Sequence, residues 1–404
     1  MLPRAMAQRN RPSLLLINRT YPPVPGATGR LLWEAARGFA RSGWDVTVLT
    51  TGPEAGQVQE APGLNVIRVK GPAKPRGLLG YVRLWWALRR AALAQPAPDL
   101  VVSMTDPPLA VCIGDAVARR RGCPHLHWCQ DVYPDLLSAL AYPLPGPAVR
   151  LLALWARTAL ARCARVVVIG RCMARHLVRA YGLGPSRVSV IPNWPDLALS
   201  PHHAAPHGEK PPQALKESGP RFRVLYAGTM GRAHDPEPIL DAVRALAETN
   251  PEIVFLFAGD GPGMESIERA RAAEGLENIR LLPPQPTEHL RNLLESGDVH
   301  IVGLKGRALG LCVPCKVYSA FTVGRPCIVL APPGSEAARV VAEFGAGAVL
   351  ENATGEALAA RILAYRTDSQ TWFTAAQGAT RAGRVFTPRA SIRAFVQRAR
   401  ALIR

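Results

Sequence analysis

The sequence predicts an α/β fold of two Rossmann-like, doubly wound domains that face a cleft, and two observations support this. Short β-rich apolar runs alternate with amphipathic segments, and the alternation occurs twice with a break between the two series. Near-continuous apolar strands that alternate with helices are typical of a parallel sheet covered on both faces. A chain of 404 residues is long enough for two or three domains.

The positions of the apolar runs define the predicted domains. The first series of runs occupies residues 13–18, 44–50, 64–69, 99–104, 125–130, 165–170 and 187–193, with helical patterns such as 29–43 between them. The second series occupies residues 222–228, 252–259, 278–284, 298–304, 326–331 and 347–350. The intervening residues are rich in Pro, His and Ala and show no period. We therefore predict an N-terminal domain (1–195), a linker (196–220), a C-terminal domain (221–385) and a C-terminal helix (386–404) that packs back on the N-terminal domain.

The charge is distributed unevenly along the chain. Residues 1–195 contain 25 Lys and Arg against 9 Asp and Glu, whereas the remaining residues contain 24 against 21. A one-sided basic surface suits an anionic partner such as nucleic acid, anionic lipid or a phosphorylated substrate. It is also compatible with a merely solvated, Arg-rich face. Nucleic acid is disfavoured, because no known module and no pattern of basic residues interleaved with exposed aromatics is visible.

The cysteines and the apolar segments bear on the compartment. Eight Cys in a chain of this length do not form a disulfide framework, and a reducing compartment is the simpler interpretation. The N-terminal segment lacks the apolar core of a signal peptide. No window reaches about 18 uncharged apolar residues, so no spanning helix is predicted. We therefore expect a cytoplasmic protein.

The turn after the first predicted strand contains a G-x-x-G, Gly26 and Gly29, just before a helical pattern. Glycines at such a place let the backbone approach a ligand at a helix N-terminus. An ordinary strand-to-helix turn explains the same residues. The turn is not G-x-G-x-x-G, and no suitably placed acidic residue follows, so a dinucleotide site is disfavoured.

Four loops of the second half carry Gly, a cation or a carboxylate where strands end. They hold the segment Gly228–Asp235, the segment Gly259–Gly261, Lys316, and the pair Ser335 and Glu336. Each loop alone is compatible with plain structure, and Ser335 and Glu336 could be a simple helix cap. Because ligands bind at the carboxyl ends of parallel strands, the four together favour a site for a nucleotide diphosphate.

A C-x-x-C, Cys312 and Cys315, immediately precedes Lys316. A structural zinc site needs four ligands, and this motif supplies two. No second Cys or His pair has suitable spacing, so we expect neither a metal nor a redox function here.

The order of several segments resembles GT-B glycosyltransferases of glycosyltransferase family 4, especially the bacterial surface-polysaccharide branch of the colanic-acid and O-antigen type. The segments are "YPPVPGATGRLLWEAARGFARSGWDVTVLTT", "HWCQDVYPD", "VVVIGRCMARHLVRAYGL", "VSVIPNWPD", "VLYAGTMGRAHD", "FLFAGDGP", "VPCKVYSAFTVGRPCIVLAPPGSEAARVV" and "FTPRASIRAFVQRARALI". Together they span nearly the whole chain.

This resemblance implies a nucleotide-diphosphate sugar bound by the C-terminal half, a saccharide acceptor bound by the N-terminal half, and retaining transfer across the cleft without a metal or other cofactor. It implies catalytic roles for Asp131, Lys316 and Arg232. The implied donor-binding residues are Gly228, Thr229, Gly231, Arg232, His234, Asp235, Gly259, Asp260, Gly261, Lys316, Ser319, Ser335 and Glu336. Those implied for the acceptor side or the diphosphate loop are Gly26, Thr28, Gly29, Arg30, His127 and Asp131.

Two positions depart from the pattern of many family members. Leu311 and Ser319 stand where these members carry a pair of Glu eight residues apart. This departure puts the donor-sugar contacts in question and keeps open an alternative: a non-catalytic GT-B protein that binds or scaffolds.

Two Arg-rich segments of the first half have amphipathic patterns. In 81–94 an apolar face (Tyr81, Leu84, Trp85, Leu88, Ala92) lies opposite Arg83 and Arg90, and in 148–165 a stripe (Leu151, Leu152, Trp155) lies opposite Arg150 and Arg157. Such helices suit an anionic membrane surface, or else they are ordinary domain helices with the stripe in the core. With the family resemblance, the first option implies a peripheral enzyme on the inner face of the cytoplasmic membrane and a polyprenyl-diphosphate-linked or soluble saccharide acceptor.

Overall fold

The computed structural model describes residues 11–24, 26–72, 75, 77–199 and 221–403, and the chain divides there into two units. The first unit comprises the described residues up to Ile169, together with Ala174–Ile191 and the residues from Ile392 onward. The second comprises Gly170–Met173 and the described part of Pro192–Ser391. Most of the predicted linker, residues 200–220, lies outside the described residues.

Strands and helices alternate along the first unit. Its elements are β1 (Ser13–Ile17), α1 (Ala27–Arg41), β2 (Asp45–Gly52), β3 (Gly56–Ala61), β4 (Leu64–Lys70), α2 (Gly77–Ala94), β5 (Leu100–Ser103), α3 (Ala110–Arg121), β6 (His125–Cys129), α4 (Asp135–Ala139), α5 (Gly146–Arg162), β7 (Arg165–Val168), α6 (Arg171–Tyr181) and β8 (Val188–Val190). The first three residues of α6, Arg171–Met173, belong to the second unit.

The second unit repeats the alternation. Its elements are β9 (Phe222–Ala227), α7 (Glu237–Ala247), β10 (Ile253–Ala258), α8 (Pro262–Glu274), β11 (Ile279–Leu282), α9 (Leu290–Ser296), β12 (Val299–Gly303), α10 (Lys316–Thr322), β13 (Cys327–Leu330), α11 (Glu336–Phe344), β14 (Gly347–Leu350), α12 (Gly355–Thr367) and α13 (Ser369–Val385). The last helix, α14 (Pro388–Arg400), leads back to the first unit.

Each unit is built on one sheet with a doubly wound order. The sheet of the first unit runs β3-β4-β2-β1-β5-β6-β7-β8, and that of the second runs β11-β10-β9-β12-β13-β14. Among the described residues, the strand pairs are parallel except β3 with β4. Every predicted apolar run overlaps one of these strands, so the predicted fold class is confirmed.

Alternate residues of the second sheet enter two separate cores. Val224 and Tyr226 of β9 pack in one core, whereas Leu225 between them packs in the other. Successive side chains of a strand point to opposite faces of its sheet, and here helices cover both faces. This double burial is why the strands have near-continuous apolar sequences.

The sequence pattern missed the edge strand β3. Its residues, "GQVQEA", are almost all exposed and contain no apolar run. The strand forms because a hairpin turn at Gly63, with φ 73°, folds it antiparallel onto β4, where Val58 pairs with Val66. Hydrogen bonding to a neighbour therefore stabilises this strand without burial of its side chains.

The apolar face predicted for residues 81–94 lies mostly in the core. Leu84, Trp85, Leu88 and Ala92 of α2 are buried, whereas Tyr81 is exposed. This face therefore packs in the domain core, and the interpretation of it as a membrane-binding face is wrong. In α5 the stripe is exposed at Leu151 and Trp155.

The C-terminal helix α14 supplies core to the first unit. Phe395 is fully buried, and its ring lies 5.4 Å from that of Phe39 on α1 and 4.7 Å from that of Trp128 on β6, centroid to centroid. The first unit thus includes residues from both ends of the chain.

Among the residues that the structure describes, no helix combines the length and the apolar character needed to cross a membrane.

Candidate functional site

The candidate donor site lies where the strand order of the second sheet reverses direction. The chain proceeds outward from β9 through β10 to β11 and then returns to β12 on the other side of β9. Loops that leave neighbouring strands in opposite directions open a crevice at the carboxyl edge of the sheet, where ligands of such folds bind. The loop after β9, residues 228–236, runs along this edge.

Three of the predicted glycines allow two loops to pack backbone against backbone. Gly228, Gly259 and Gly261 have φ of 102°, 152° and 104°, a region that other residues rarely adopt. A Cβ added at Gly261 would lie 2.9 Å from the carbonyl oxygen of Met230. The main-chain N–H of Gly228 donates to Ala258 at 2.7 Å, and that of Met230 donates to Asp260 at 2.8 Å. The structure therefore brings the two predicted Gly-rich segments together.

Lys316, the first residue of α10, reaches the same place. Its Nζ donates to the carbonyl oxygen of Thr229 at 2.7 Å and to the hydroxyl of Tyr226 at 2.9 Å. The ammonium also lies 4.2 Å from the centroid of the Tyr226 ring. Burial lowers the pKa of Lys316 to about 7, although the nearby Asp260 carboxylate acts in the opposite direction. An anionic ligand bound beside this ammonium would stabilise its charged form.

A cavity of about 290 Å³ opens beside Lys316. Two of the residues that line this cavity are hydrogen-bonded to each other: the hydroxyl of Thr229 donates to the carboxylate of Asp260 at 2.6 Å. Its lining residues are Ala227, Gly228, Thr229, Ala258, Gly259, Asp260, Pro284, Gln285, Leu290, Leu293, Leu294, His300, Ile301, Val302, Lys316 and Ser319. Six residues predicted to bind the donor thus line one cavity. The other lining residues, from β9, β10, β12, the β11 loop and α9, were not predicted as site residues.

The rest of the β9 loop is anchored across the crevice and does not line this cavity. A ring nitrogen of His234, Nδ1, donates to the carbonyl of Gly303 at 2.6 Å, and the main-chain N–H of Lys305 donates to Ala233 at 2.8 Å. Lys305 Nζ lies 3.9 Å from Asp235. Burial, with the positive charge of Lys316, lowers the pKa of His234 to about 4, so this ring is neutral near pH 7. Gly231 and the exposed Arg232 form the tip of the loop.

Ser335 and Glu336 both form hydrogen bonds within the second unit. Ser335 is fully buried and its hydroxyl caps α11 by accepting from the N–H of Ala338. Glu336 accepts from the main-chain N–H of Arg171 at 2.5 Å and from its Nε at 2.9 Å. Arg171 also binds Glu343 at 2.6 Å. Ser335 thus caps α11, and its donor contact stays a prediction. Glu336 lies apart from the cavity lining.

In the first unit, the residues predicted around the β1–α1 turn are packed together. Gly29 lies in the first turn of α1, where an added Cβ would be 3.0 Å from the main chain of Thr20 and Tyr21. The hydroxyls of Thr28 and Thr20 are 3.0 Å apart. Arg30 forms an ion pair at 2.7 Å with Glu34, one turn further along the helix. Gly26 immediately precedes α1.

Asp131 and His127 line a small pocket at the end of β6, with Thr105, Leu109, Ala110, Val111, Cys129, Val132, Tyr133 and Leu160. Burial raises the pKa of Asp131 to about 7, and the negative charge of Asp106 adds to the effect. Asp106 itself is paired with Arg19 at 2.6 Å. A carboxyl group with a pKa near neutrality can exchange a proton with a ligand at physiological pH.

A buried series of hydrogen-bonded side chains orients the ring of His127. The hydroxyl of Ser103 lies 2.9 Å from Nδ1 of His127 and 2.8 Å from Nε2 of His125, whose Nδ1 lies 3.4 Å from the Cys163 thiol. That thiol donates its single proton to Ala159 at 3.4 Å. Because the thiol proton is used on Ala159, Nδ1 of His125 must donate to the Cys163 sulfur, and Nε2 of His125 accepts from the Ser103 hydroxyl. The Ser103 oxygen then accepts from Nδ1 of His127. His127 therefore carries its proton on Nδ1, and its Nε2 is a proton acceptor. Burial lowers the pKa of His127 to about 4, which keeps the ring neutral.

Sequence reasoning missed Tyr226, which positions Lys316, and Arg171, which holds Glu336. In the sequence, Tyr226 is not distinguished from the other apolar residues of its strand, and Arg171 is not distinguished from the many other arginines of the chain. No local pattern marks either residue, because the partner of each is distant in sequence.

The C-x-x-C motif does not form a disulfide. Neither Cys312 nor Cys315 is disulfide-bonded, and Cys315 accepts from the Asn193 amide at 3.1 Å. Nor do the described residues contain a group of three or more His, Cys, Asp or Glu side chains placed to share a metal ion.

Both units match known domain families. Residues 26–194 match the glycosyl transferase 4-like domain, and residues 221–368 match the glycosyl transferases group 1 family. The chain is 24% identical over 374 residues to the putative colanic acid biosynthesis glycosyl transferase WcaI of Escherichia coli K12, a match covering 86% of this chain and 91% of that protein.

Solved structures share the fold at low sequence identity. Sucrose-phosphate synthase from Thermosynechococcus elongatus superposes with a TM-score of 0.74 at 19% identity, covering 97% of this chain and 99% of that one. WaaG, a glycosyltransferase involved in lipopolysaccharide biosynthesis, superposes with a TM-score of 0.70 at 15% identity, covering 96% and 99%. Anabaena Alr3699/HepE, solved with UDP and glucose, gives 0.69 at 15%, covering 97% and 100%. The chain thus consists of a glycosyl transferase 4-like domain followed by a glycosyl transferases group 1 domain, the two Rossmann-like domains of a GT-B glycosyltransferase.

Proposed function

We propose that this protein transfers a sugar from a nucleotide-diphosphate sugar to a saccharide acceptor in the biosynthesis of a cell-surface polysaccharide. The observation that carries the proposal is the cavity in which Lys316, Thr229 and the glycine-bearing loops meet. The colanic acid relative and WaaG support the biological setting, and the UDP and glucose in the HepE structure support the class of donor.

In the proposed mechanism the second unit binds the donor. Cleavage of the sugar–diphosphate bond leaves negative charge on the diphosphate, and Lys316 neutralises this charge together with main-chain N–H groups of the β9 loop. Because Lys316 supplies the positive charge that a divalent metal would otherwise supply to the leaving diphosphate, we propose that transfer is metal-independent. Arg232, at the exposed loop tip, approaches the same diphosphate. Retention of the anomeric configuration is part of the proposal and rests on the family resemblance.

In the first unit we propose that the pocket at the end of β6 receives the reacting hydroxyl or sugar. Asp131 supplies a carboxyl group whose pKa of about 7 suits proton exchange, and His127 supplies an acceptor nitrogen. The acceptor that we propose is a saccharide on a polyprenyl diphosphate, met at the cytoplasmic face of the membrane.

A purified-protein assay tests the donor site. Wild-type protein with a panel of nucleotide sugars, beginning with UDP-glucose, should bind one or more of them and release nucleoside diphosphate slowly without acceptor. Lys316→Ala should reduce donor affinity or turnover by about 10²–10³-fold, the typical cost of removing one charge-stabilising group. Lys305→Ala, which removes a nearby ammonium that does not line the cavity, is the matched control and should have a much smaller effect. Chelators should leave the rate unchanged.

The alternative is a GT-B protein that binds a nucleotide sugar without transferring it. It is favoured by Leu311, which is buried, and by Ser319, which lines the cavity. Both stand where the family resemblance implies a Glu. Binding of the donor panel with no hydrolysis, and no transfer to membranes supplied as an acceptor source, would establish this alternative.

A further inference from the structure

Thr105, two residues beyond the end of β5, has a buried hydroxyl group without a hydrogen bond. The residue is 4% exposed, and in the described part of the chain its Oγ1 has no hydrogen-bond partner. Thr50 and Thr51 of β2 are also buried, but their hydroxyls donate to the carbonyl of Arg19 at 2.8 and 3.0 Å. An unpaired buried hydroxyl costs free energy that an apolar side chain would not cost. The fold therefore gains nothing from this hydroxyl, which points to a ligand.

Thr105 lines the small pocket at the end of β6. Among the buried side-chain atoms that lack a partner in the described ranges, its Oγ1 is the one whose residue lines either of the two cavities above. Thr105 shares the pocket with His127 and Asp131. Nε2 of His127 and the carboxylate of Asp131 form no hydrogen bond with a described residue either. Three residues with unpaired polar groups thus line one pocket.

The pocket admits only a small group. Its volume is about 10 Å³, close to the minimum that holds one water-sized group. Its other walls are mostly apolar, and Ala110, Val111 and Leu160 among them are at most 4% exposed. Such walls form no hydrogen bonds with a ligand, and a packed interior yields little. A hydroxyl group fits these limits, whereas an acetamido group exceeds them.

The directions of the hydrogen bonds also select a hydroxyl group. The series of side chains that ends at Cys163 holds the proton of His127 on Nδ1, so Nε2 can only accept and a ligand must donate to it. The hydroxyl of Thr105 needs an acceptor for its own proton. A sugar hydroxyl meets both needs, because its O–H donates while its oxygen accepts. A carbonyl or ether oxygen cannot donate to His127.

We propose that Thr105 is a specificity-determining residue that recognises, together with His127, a single hydroxyl group of a sugar. The Thr105 hydroxyl donates to the sugar oxygen, and the sugar hydroxyl donates to Nε2 of His127. A site built around a substrate hydroxyl rejects an analogue that lacks it, because the buried protein groups are then left unpaired. The inference rests on the proposed function and deepens it: the hydroxyl belongs either to the donor sugar or to the saccharide acceptor.

Unfolding measurements test the state of the Thr105 hydroxyl without any substrate. Thr105→Val replaces the hydroxyl by a methyl group of similar size, so the midpoint of urea unfolding should stay unchanged or rise. Thr51→Val removes a hydroxyl that is hydrogen-bonded, and its midpoint should fall. An equal fall in both variants would overturn the proposal, because it would show that the Thr105 hydroxyl already stabilises the fold.

Nitrogen-15 spectra of histidine-labelled protein test the acceptor nitrogen. The resonances of His127, assigned with His127→Gln, should show a proton on Nδ1 and none on Nε2. Ser103→Ala removes the neighbour that accepts from Nδ1, so both tautomers should then appear. A proton on Nε2 in the wild type would contradict donation from the ligand to His127 and would overturn the proposal.

The kinetic effect is measured with the nucleotide sugar that the donor panel selects. Thr105→Val should reduce kcat/KM about three- to tenfold, the value of one ordinary hydrogen bond. Thr105→Ser restores a hydroxyl and should recover most of the loss. Thr158→Val, which removes a hydroxyl already bonded to the carbonyl of Leu154 at 2.8 Å, is the control and should react like wild type.

Two reactions decide which sugar carries the hydroxyl. Slower hydrolysis of the donor by Thr105→Val in the absence of acceptor assigns the hydroxyl to the donor sugar. The deoxy donor that wild type and Thr105→Val then use equally well identifies its position on the ring. Normal hydrolysis with slower transfer to membranes supplied as an acceptor source assigns the hydroxyl to the acceptor.

Failure of this proposal can be told apart from failure of the proposed function. If the wild type uses a donor and Thr105→Val is unchanged in both reactions, the role of Thr105 is rejected and the proposed function stands. If the wild type uses no donor of the panel, the proposed function is rejected, and with it the sugar as the ligand of this pocket.

Discussion

Lys316 is a cation that the fold keeps partly away from water. Its ammonium has two donor contacts, to a carbonyl and a hydroxyl, and neither neutralises its charge. Burial therefore lowers its pKa to about 7. A bound diphosphate favours the charged form and raises this pKa again.

This linkage predicts a pH-dependent donor affinity. Since binding takes up a proton above pH 7, the affinity for UDP-glucose should fall as the pH rises from 7 to 9. UDP-glucose is the suitable probe because its diphosphate does not titrate in this range. Titration calorimetry in two buffers of different ionisation enthalpy measures the proton uptake directly. Lys316→Arg should show no such dependence, because a guanidinium stays charged throughout; a pH-independent wild type would contradict the assignment.

Tyr226 acts on the same cation from the strand beneath it. Its hydroxyl accepts from Lys316 and donates to the carbonyl of Thr229 at 3.3 Å. Tyr226→Phe keeps the ring under the ammonium but removes this bridge, so UDP-glucose affinity should fall about three- to tenfold, the value of one ordinary hydrogen bond. Tyr365→Phe, a change of another buried tyrosine of the second unit, is the control. An equal effect of both variants on affinity would mean that only stability had changed.

At the scale of elements, the two loops after β9 and β10 depend on glycine for their mutual approach. Gly259 has positive φ, and an added Cβ would meet the main chain of Gly228, with its carbonyl carbon at 2.7 Å. Gly259→Ala should therefore destabilise the second unit by about 1–3 kcal/mol. Gly231→Ala, in the same loop system, meets nothing within 4 Å and should be nearly neutral. Urea unfolding of the two variants measures the difference, and equal stabilities would show that the loops can separate at little cost.

The helices α2 and α5 illustrate a limit of periodicity. The pattern of α2 correctly marked a buried face, but the opposite face is also apolar, at Leu79, Val82 and Trp86. A pattern reports which residues share a face and not which face meets the sheet. The neighbouring helices decide that question.

At the scale of the whole molecule, the last helix completes the core of the first unit. Phe395→Ala should lower the free energy of unfolding of that unit by about 3–5 kcal/mol, because the ring is fully buried between Phe39 and Trp128. Phe373→Ala, at a half-exposed ring on α13, should cost far less. Thermal unfolding followed by calorimetry measures both. A small effect of Phe395→Ala would show that α14 is dispensable for the first unit.

Much of the architecture followed from the sequence by itself. Apolar runs located the strands because strands covered on both faces must be apolar throughout, and glycines located the loops because positive φ excludes other residues. The predicted group Gly228, Thr229, Gly259, Asp260, Lys316 and Ser319 lines one cavity for the same reason: parallel strands end at a common edge.

Only the tertiary structure decided which side chains meet across long separations in sequence. It joined Tyr226 to Lys316, Arg171 to Glu336 and Phe395 to Phe39, pairs that no local pattern contains. It also assigned Ser335 to a helix cap and turned an apolar side of α2 outward. The physical reason is that periodicity and backbone preference act over a few neighbouring residues, whereas burial, pKa and ion pairing depend on whatever the folded chain places nearby.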